Sequence, residues 1–583
     1  MSGPGRGLVA VVLCLVAVLA AASPAGAQGT AAVSTPGGVT TTDSTGGLTI
    51  PTAPSDPNAL SRPDRLEGTP AGHRLTGAKA RDIAATSDKV EEALRDHPTA
   101  KPEVFLKGPS QWQVSWFTPG TGDARKEVAQ VIVDDATGGI VEAWNGPQVA
   151  WTMARGYPGA FGRKVNSPWV WIPLSILFVA PFLTPRRPLR WLHLDLLVLV
   201  GFGVSVAYFN DANLDVSVPL IAPLLAYLVA RMLWIGLRRR DRDRDPTPER
   251  GDVAEPELGR LPLLVPVTWL AIAVVFLVGF RVGLNLTSSN VIDVGYSGVI
   301  GADRLVDGTQ VYGHFPKDDE HGDTYGPVAY EAYVPFEQAL PWSGRWDDLP
   351  AAHAASIAFD LLTLVLLFFV GRRIRGPGLG IVLAYAWATW PFSLYALSCN
   401  TNDALVAMLA ALLLLVAARP AARGVVAALA GLTKLGALGL VPLTISHAAP
   451  RGRWLRTVAV ATAAFAVTAV VVSLPVLLRG ESLSTIYDRT IGFQASRGAP
   501  FSIWGLYDLR APQHVWQVLA AVLALAVAFV PRRRDVIGLA ALSGAVVIAL
   551  QLGVTYWFYL YLVWFFPFVA VALFARYRVP DPR

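Results

Sequence analysis

Cysteine is nearly absent from this 583-residue chain: there are two, Cys14 and Cys399. Cys14 lies in a leader with the marks of a removable signal, so a processed chain keeps one thiol. One thiol excludes an internal disulfide and any cysteine-based metal centre. Charge is scarce as well. Only 16% of the residues are Asp, Glu, Lys or Arg, too few to coat a soluble protein of this length. The formal charge of +6 does not describe a nucleic-acid surface, because the basic residues cluster between apolar runs, where they orient a membrane protein. Hydrophobic residues make up 53% of the chain, with 18 Trp among them. Apolar runs of about 17–22 residues recur, each long enough to cross a bilayer as a helix. They predict a mainly α, polytopic helical membrane protein, with the lipid bilayer as its first partner and no nucleic acid.

Residues 1–27 read as a secretory signal: Arg6, then "GLVAVVLCLVAVLAAA", then the small-residue site "AGA" at Ala25–Ala27. An uncleaved anchor is the alternative, and either one puts the next segment outside the cytoplasm. Residues 28–80, rich in Ser, Thr, Gly, Pro and Ala, cannot bury a core and predict a disordered leader. Residues 81–150 change texture. "IAATSDKVEEALRDH" has helical spacing with Val90, Ala93 and Leu94 on one side. "SQWQVSWFT" and "EVAQVIVDD" alternate like strands, and "DDATGG" supplies a turn before "IVEAW". This helix and strand meander, carried by "VIVDDATGGIVEAW", resembles a PepSY-type domain, a small α+β extracytoplasmic unit.

The candidate spans come next. Three accessory helices fill residues 167–236, at 168–184, 191–208 and 215–236. A charged linker at 237–260 is expected to be cytoplasmic. Nine further runs occupy 261–576, at 261–280, 351–370, 378–397, 403–418, 424–446, 454–477, 513–530, 535–551 and 556–575. The basic loops "TPRRPLR", "RRRDRDRD", "GRRIRG", "RPAAR", "PRGRWLR", "PRRRD" and "RYR" all belong on the cytoplasmic side. Counting from an external N-terminus satisfies the earlier loops and fails at "PRGRWLR" if 424–446 is one span. That run carries Lys434 near its middle, where a lysine is costly in lipid. Two short helices meeting at Lys434 on the outer side restore the count. The expectation is therefore about 12–13 membrane segments, with non-helical backbone at the break lining a cavity or buried in protein.

With that topology three loops share the outer face: 281–350, which holds eleven Asp/Glu against four Lys/Arg, the short "SCNTND", and 479–512. Lys434 points the same way. The layout resembles the GT-C membrane glycosyltransferases, and among them is similar to the polyprenyl-phosphate-mannose-dependent enzymes of glycosyltransferase family 87. The resemblance runs from about Leu261 to Arg576. It rests on "DVGYSGVIGADRLVDGTQVYG", "DTYGPVAYEAYVPFE", "NTNDALVAMLAALLL", "GLTKLGALGLVPL", "IYDRTIGFQASRGAPFSIWGLY" and "YWFYLYLVWFFPFVAVAL". The chain departs from the pattern in three ways. No second acid adjoins Asp293, Tyr325-Gly326-Pro327 stands where the family has Tyr-Pro-Pro, and the leading domain with its three extra spans has no counterpart. The resemblance implies a GT-C-like core, a polyprenyl-phosphate-linked sugar as donor (mannose first, arabinose second) and an envelope glycan or glycolipid as acceptor.

Transfer from a lipid phosphate needs one base to take the acceptor's proton, and the phosphate is a good enough leaving group to need no acid. Asp293, just past an apolar run, is the natural base, and the resemblance places the catalytic Asp there; the plain alternative is an interfacial carboxylate that stays wet. Lys434 suits a lipid phosphate as a point charge, or snorkels. Arg489 and Arg497, flanking "TIGFQAS", can clamp phosphate with two donors each. Gln494 can meet a sugar hydroxyl. Tyr296, Tyr325, Tyr330, Trp504 and Tyr507 can stack on sugar or prenyl chain, or serve as belt aromatics. Asp403 either opens a helix or touches substrate. Asp360, deep in a span, suits a polar contact between helices. "KDDEHGD" at 317–323 can hold a divalent cation or stay solvated, and no residue is assigned as a metal ligand. Two other classes remain. One is a transporter or flippase of lipid-linked sugars, for which repeated halves and midplane charges are the expected signs. The other is a non-catalytic envelope scaffold built on a degenerate transferase.

Overall fold

The computed structural model describes residues 60–121, 125–156, 161–184, 190–238, 258–447, 453–529 and 533–582. The signal expected at 1–27, most of the leader at 28–80 and most of the linker at 237–260 lie outside these. The chain divides after Gly156 into two compact units.

The smaller unit is a five-stranded antiparallel meander in the order β1-β2-β3-β4-β5. The strands are β1 (Leu60–Ser61), β2 (Lys101–Lys107), β3 (Gln111–Phe117), β4 (Glu127–Asp134) and β5 (Ile140–Asn145). Alternation puts Trp112, Val114 and Trp116 of β3 on one face. There they meet Val131 and Val133 of β4 and the helical residues Ala80, Ala84, Val90 and Ala93. The single helix expected over 83–97 is two, Gly77–Ala84 and Asp88–Asp96, parted by Ser87 in extended conformation. The expected boundary at residue 81 is also corrected: it falls inside the first of these helices. Residues 60–76 are ordered because Asp135 takes the Arg74 and Leu75 N–H groups at 2.7 and 3.0 Å and the Trp112 indole N–H at 2.7 Å. Those three donors outweigh the cost of burial and hold its carboxyl below the ordinary value.

The larger unit is helical. Among the described residues six helices are long and apolar enough to cross a membrane: Trp191–Asn210, Leu214–Leu237, Val267–Thr287, Pro350–Arg375, Trp454–Leu477 and Arg510–Phe529. A seventh candidate is the pair Pro377–Thr389 and Pro391–Ser398, bent by 57°. The protein is therefore a multi-pass helical membrane protein. Shorter apolar helices occupy the remaining runs, Pro168–Phe182, Asp403–Leu415, Pro420–Thr433, Leu435–Ser446, Val536–Leu552 and Tyr559–Phe574.

Two details position the site. The span expected at 261–280 starts later, at Val267 after Pro266, and runs on to Thr287. It can carry Arg281 because Asp360, from Pro350–Arg375, pairs with it. Arg281 Nε donates to Asp360 Oδ2 at 3.1 Å, and its Nη1 donates to Ala388 O and Ser393 Oγ, both at 3.1 Å, across the bend at Trp390–Pro391. The second detail is the break at Lys434, whose extended backbone separates Pro420–Thr433 from the turn Leu435–Leu440 and helix Val441–Ser446. The halves return to the same end. Buried Arg423, near the start of the first, donates to Thr444 O and His447 O, both at 2.8 Å, near the end of the second. The run 424–446 is a hairpin with Lys434 at its tip.

Candidate functional site

At the Lys434 end of the bundle the three acidic and basic-aromatic loops meet. Asn290 N–H reaches Ser398 O at 3.0 Å and Ile292 N–H reaches Cys399 O at 3.2 Å. Asn400, left-handed at φ 50°, gives its amide to Ser289 Oγ and Asn290 O, both at 3.0 Å, and accepts from Asn285 Nδ2 at 2.8 Å. This stitching brings the "SCNTND" turn against the helix Asp293–Val306 so closely that a Cβ at Gly295 would sit 2.0 Å from Asn400 O. Only glycine allows that approach.

Asp293 opens that helix, where the dipole favours an anion, and its Oδ1 accepts the Val294 N–H at 2.9 Å. Its side chain is exposed. Nonetheless, burial by surrounding protein pushes its carboxyl above the ordinary value, against the Val294 N–H and the positive charges of Arg497 and Lys434. A group both exposed and desolvated faces a concave, protein-walled space. Among the charges it senses, Lys434 and Arg497 are the two that the sequence assigned to phosphate.

Lys434 is already partnered. Its Nζ lies 2.8 Å from Asp403 Oδ1, an oxygen that also accepts the Trp564 indole N–H at 2.7 Å; Asp403 Oδ2 takes the Thr401 hydroxyl at 2.8 Å. The ammonium is walled by the rings of Tyr325, Trp564 and Tyr561, at 4.7, 5.2 and 5.7 Å from their centres. Tyr325 is held there by its neighbour: a Cβ on Gly326 would stand 2.0 Å from Leu432 O, which gives the Tyr-Gly-Pro sequence a steric reason. Arg497 stacks 3.8 Å over the Tyr556 ring and 5.6 Å from Phe493. Tyr325, Arg497, Tyr556, Tyr561 and Trp564 all keep part of their surface accessible. Trp564 also lines a small apolar pocket with Val406, Leu409, Leu413, Leu440 and Phe568.

Other residues singled out in the sequence lie elsewhere. Arg489 pairs with Asp323 at 2.6 Å, which ties the 479–496 region to the acidic loop and leaves it apart from the Lys434 cluster. Tyr330 is buried and gives its hydroxyl to Gly322 O at 2.9 Å. Tyr296 packs against Trp342 and Trp346, with its hydroxyl 3.4 Å from Asp318. Trp504 bonds Leu552 O at 2.5 Å and lines a separate small pocket with Val218, Ile221 and Phe501. Gln494 is exposed. Asp360 makes the interhelical contact expected of it. The "KDDEHGD" side chains disperse: Asp319 to Ser297 Oγ at 2.8 Å, Asp323 to Arg489, and His321 onto the Phe493 ring at 4.5 Å. Among the described residues no three His, Cys, Asp or Glu side chains are grouped to hold a metal.

The sequence reading missed Tyr556, Tyr561, Trp564 and Asn402. The first three sit in a run of aromatics that reads as a membrane belt. The available signal was Trp564 itself, an indole N–H inside an apolar helix that needs an acceptor. Asn402 is fully buried, and neither amide atom meets a protein partner. In comparisons with family models, curated proteins and solved structures, nothing matches this chain.

Proposed function

We propose that the protein is an integral membrane glycosyltransferase that moves a sugar from a polyprenyl-phosphate donor to an envelope glycan or lipid acceptor. One observation carries this reading. An exposed carboxylate, Asp293, shares a protein-walled recess with two cations and four aromatic rings. In the proposed reaction Asp293 takes the proton of the acceptor hydroxyl as its oxygen attacks the anomeric carbon. The bond from that carbon to the phosphate oxygen breaks, and polyprenyl phosphate leaves with the electron pair. Arg497 is the phosphate's main counter-charge. Lys434, held by Asp403, adds a fixed positive field. Tyr325, Tyr556, Tyr561 and Trp564 offer faces for a sugar ring. Direct displacement inverts the anomeric centre. The GT-C-like core with 12–13 membrane segments, mannose as first donor sugar, and a site on the extracytoplasmic side all belong to this proposal.

The test is the purified protein in nanodiscs with radiolabelled polyprenyl-phosphate-mannose and a pool of envelope glycans. Wild type should transfer label. Asp293→Asn should stay inserted and lose about 10²–10⁴-fold in rate, the usual cost of a general base. A base works unprotonated, so a raised Asp293 pKa puts the acid limb of the rate profile above the ordinary aspartate value of about 3.9. Near-normal turnover in Asp293→Asn would falsify the assignment and favour the scaffold reading.

A further inference from the structure

The helical stretch 483–496 is built from Leu483–Tyr487, a wider turn over Asp488–Gly492, and Phe493–Ser496. Its inner side is fixed to protein. Arg489 pairs with Asp323, Thr490 is buried, and Phe493 stacks on His321. Just before it, Glu481 accepts the Tyr312 N–H at 2.8 Å. Among the described residues nothing covers the outer side. Leu483, Tyr487 and Ile491, at four-residue steps, are 73, 56 and 44% exposed. Beside this apolar stripe Ser484 and Asp488, also a four-residue step apart, are exposed as well. A free surface that is half apolar and half polar suits the boundary between hydrocarbon and water.

The preceding element indicates the medium against the apolar half. Trp454–Leu477 is long and apolar enough to span the membrane, and Val467, Val470, Val471, Leu474 and Leu478 are exposed on and just after it. In a multi-pass membrane protein that surface meets lipid. Gly480, at φ 86°, ends the span in the usual left-handed manner, and the exposed apolar residues resume three positions later at Leu483. We propose that residues 483–496 form an interfacial helix of this protein, seated on the bilayer surface through Leu483, Tyr487 and Ile491, with Ser484 and Asp488 in water. The helix ends at Arg497, whose N–H bonds Phe493 O at 3.1 Å. The bilayer therefore helps fix the element at whose end Arg497 stacks on Tyr556. This seating is independent of the reaction the site performs.

Nitroxide labels placed singly at 483, 487, 491, 484 and 488 test it, in full-length protein lacking Cys14 and Cys399 and reconstituted in nanodiscs. All five positions are exposed, so folding is not at stake. Collision with dissolved oxygen, which partitions into lipid, is compared with collision with a water-soluble nickel chelate. Labels at 483, 487 and 491 should favour oxygen several-fold over labels at 484 and 488. Equal chelate access at all five positions would overturn the proposal. So would labels at 483, 487 and 491 shielded from both reagents, which is the signature of a second copy covering the stripe.

Discussion

Lys434 has two masters. Its ammonium is 6% exposed and paired with Asp403, which is fully buried, and the proposed reaction also brings a phosphate near it. Burying an ion pair costs desolvation, but removing one partner costs more because it strands the other charge. Lys434→Met should therefore destabilise the folded protein by about 3–5 kcal/mol, read as a lower unfolding midpoint in nanodiscs. Lys434→Met with Asp403→Asn should recover most of that loss, since an amide oxygen can still accept from Trp564. The double variant then isolates the ligand role. Its affinity for polyprenyl phosphate, beside that of Arg497→Met, reports which cation meets the phosphate. Loss of a charged hydrogen bond there is worth about 1.5–3 kcal/mol. Full stability in Lys434→Met alone would show that the pair does not hold the hairpin tip.

At the scale of elements, apolar runs were legible and their interruptions only partly so. The hairpin at Lys434 could be read because a mid-span lysine and a run of basic loops demanded it. The bend at Trp390 could not. It depends on Arg281 and Asp360, 79 residues apart, finding each other, and no local pattern announces a pair. The same pairing explains why Val267–Thr287 extends past the charged residue at which the sequence reading ended it. In the small unit β2 went unread, since "KPEVFLK" has Pro102 and three charged side chains, and its partner strand supplies the missing specification. Residues 60–76 read as disordered because their composition buries nothing; Asp135 orders them through backbone N–H groups that any sequence would present. Of the site, Asp293, Lys434, Arg497, Tyr325 and Asp403 were legible as chemistry. That Lys434 and Asp403 are partners was not, because neither spacing nor composition encodes a contact 31 residues long.

Two predictions belong to these elements. Arg281→Met strands the Asp360 carboxylate and leaves Ala388 O without its donor. It should cost about 3–5 kcal/mol, with Arg281→Met plus Asp360→Leu recovering much of it. The measurement is the unfolding midpoint of each variant, and equal midpoints for wild type and Arg281→Met would remove the clamp from the bend. Asp135, whose carboxyl is held low in the folded unit, adds stability that is fully present above its unfolded pKa of about 3.9 and is lost as pH falls through the lower folded value. Protection from hydrogen exchange at residues 60–76 of the full chain, taken relative to the intrinsic rate at each pH, should therefore fall below about pH 4. In Asp135→Asn exchange there should be fast already at neutral pH and lose that dependence.

For the whole molecule the decisive geometry is one helix with two ends. Asp403–Leu415 begins at the charged cluster, and Leu415 O, at its far end, accepts from Arg373 at 3.0 Å. Around that far end the basic segments gather. Arg375 bonds Ala575 O at 2.5 Å, Leu261 N–H bonds Arg578 O at 2.9 Å, and the feet of the Lys434 hairpin are tied by Arg423. Thirteen residues at 1.5 Å each make that helix about 20 Å long, short of the roughly 30 Å of bilayer hydrocarbon. The charged cluster thus lies at the end of this helix opposite the basic segments. Basic ends face the cytoplasm, so the acidic loop should face the other side. Single cysteines in a background without Cys14 and Cys399 test this in sealed vesicles of known orientation. Asp318→Cys, exposed at the site end, should react with an impermeant maleimide added from the extracytoplasmic side, whereas Arg242→Cys in the basic linker should react only after permeabilisation. The reverse pattern would turn the recess toward the cytoplasm, where a nucleotide-activated sugar is the ordinary donor, and the polyprenyl-phosphate reading would fall with the orientation.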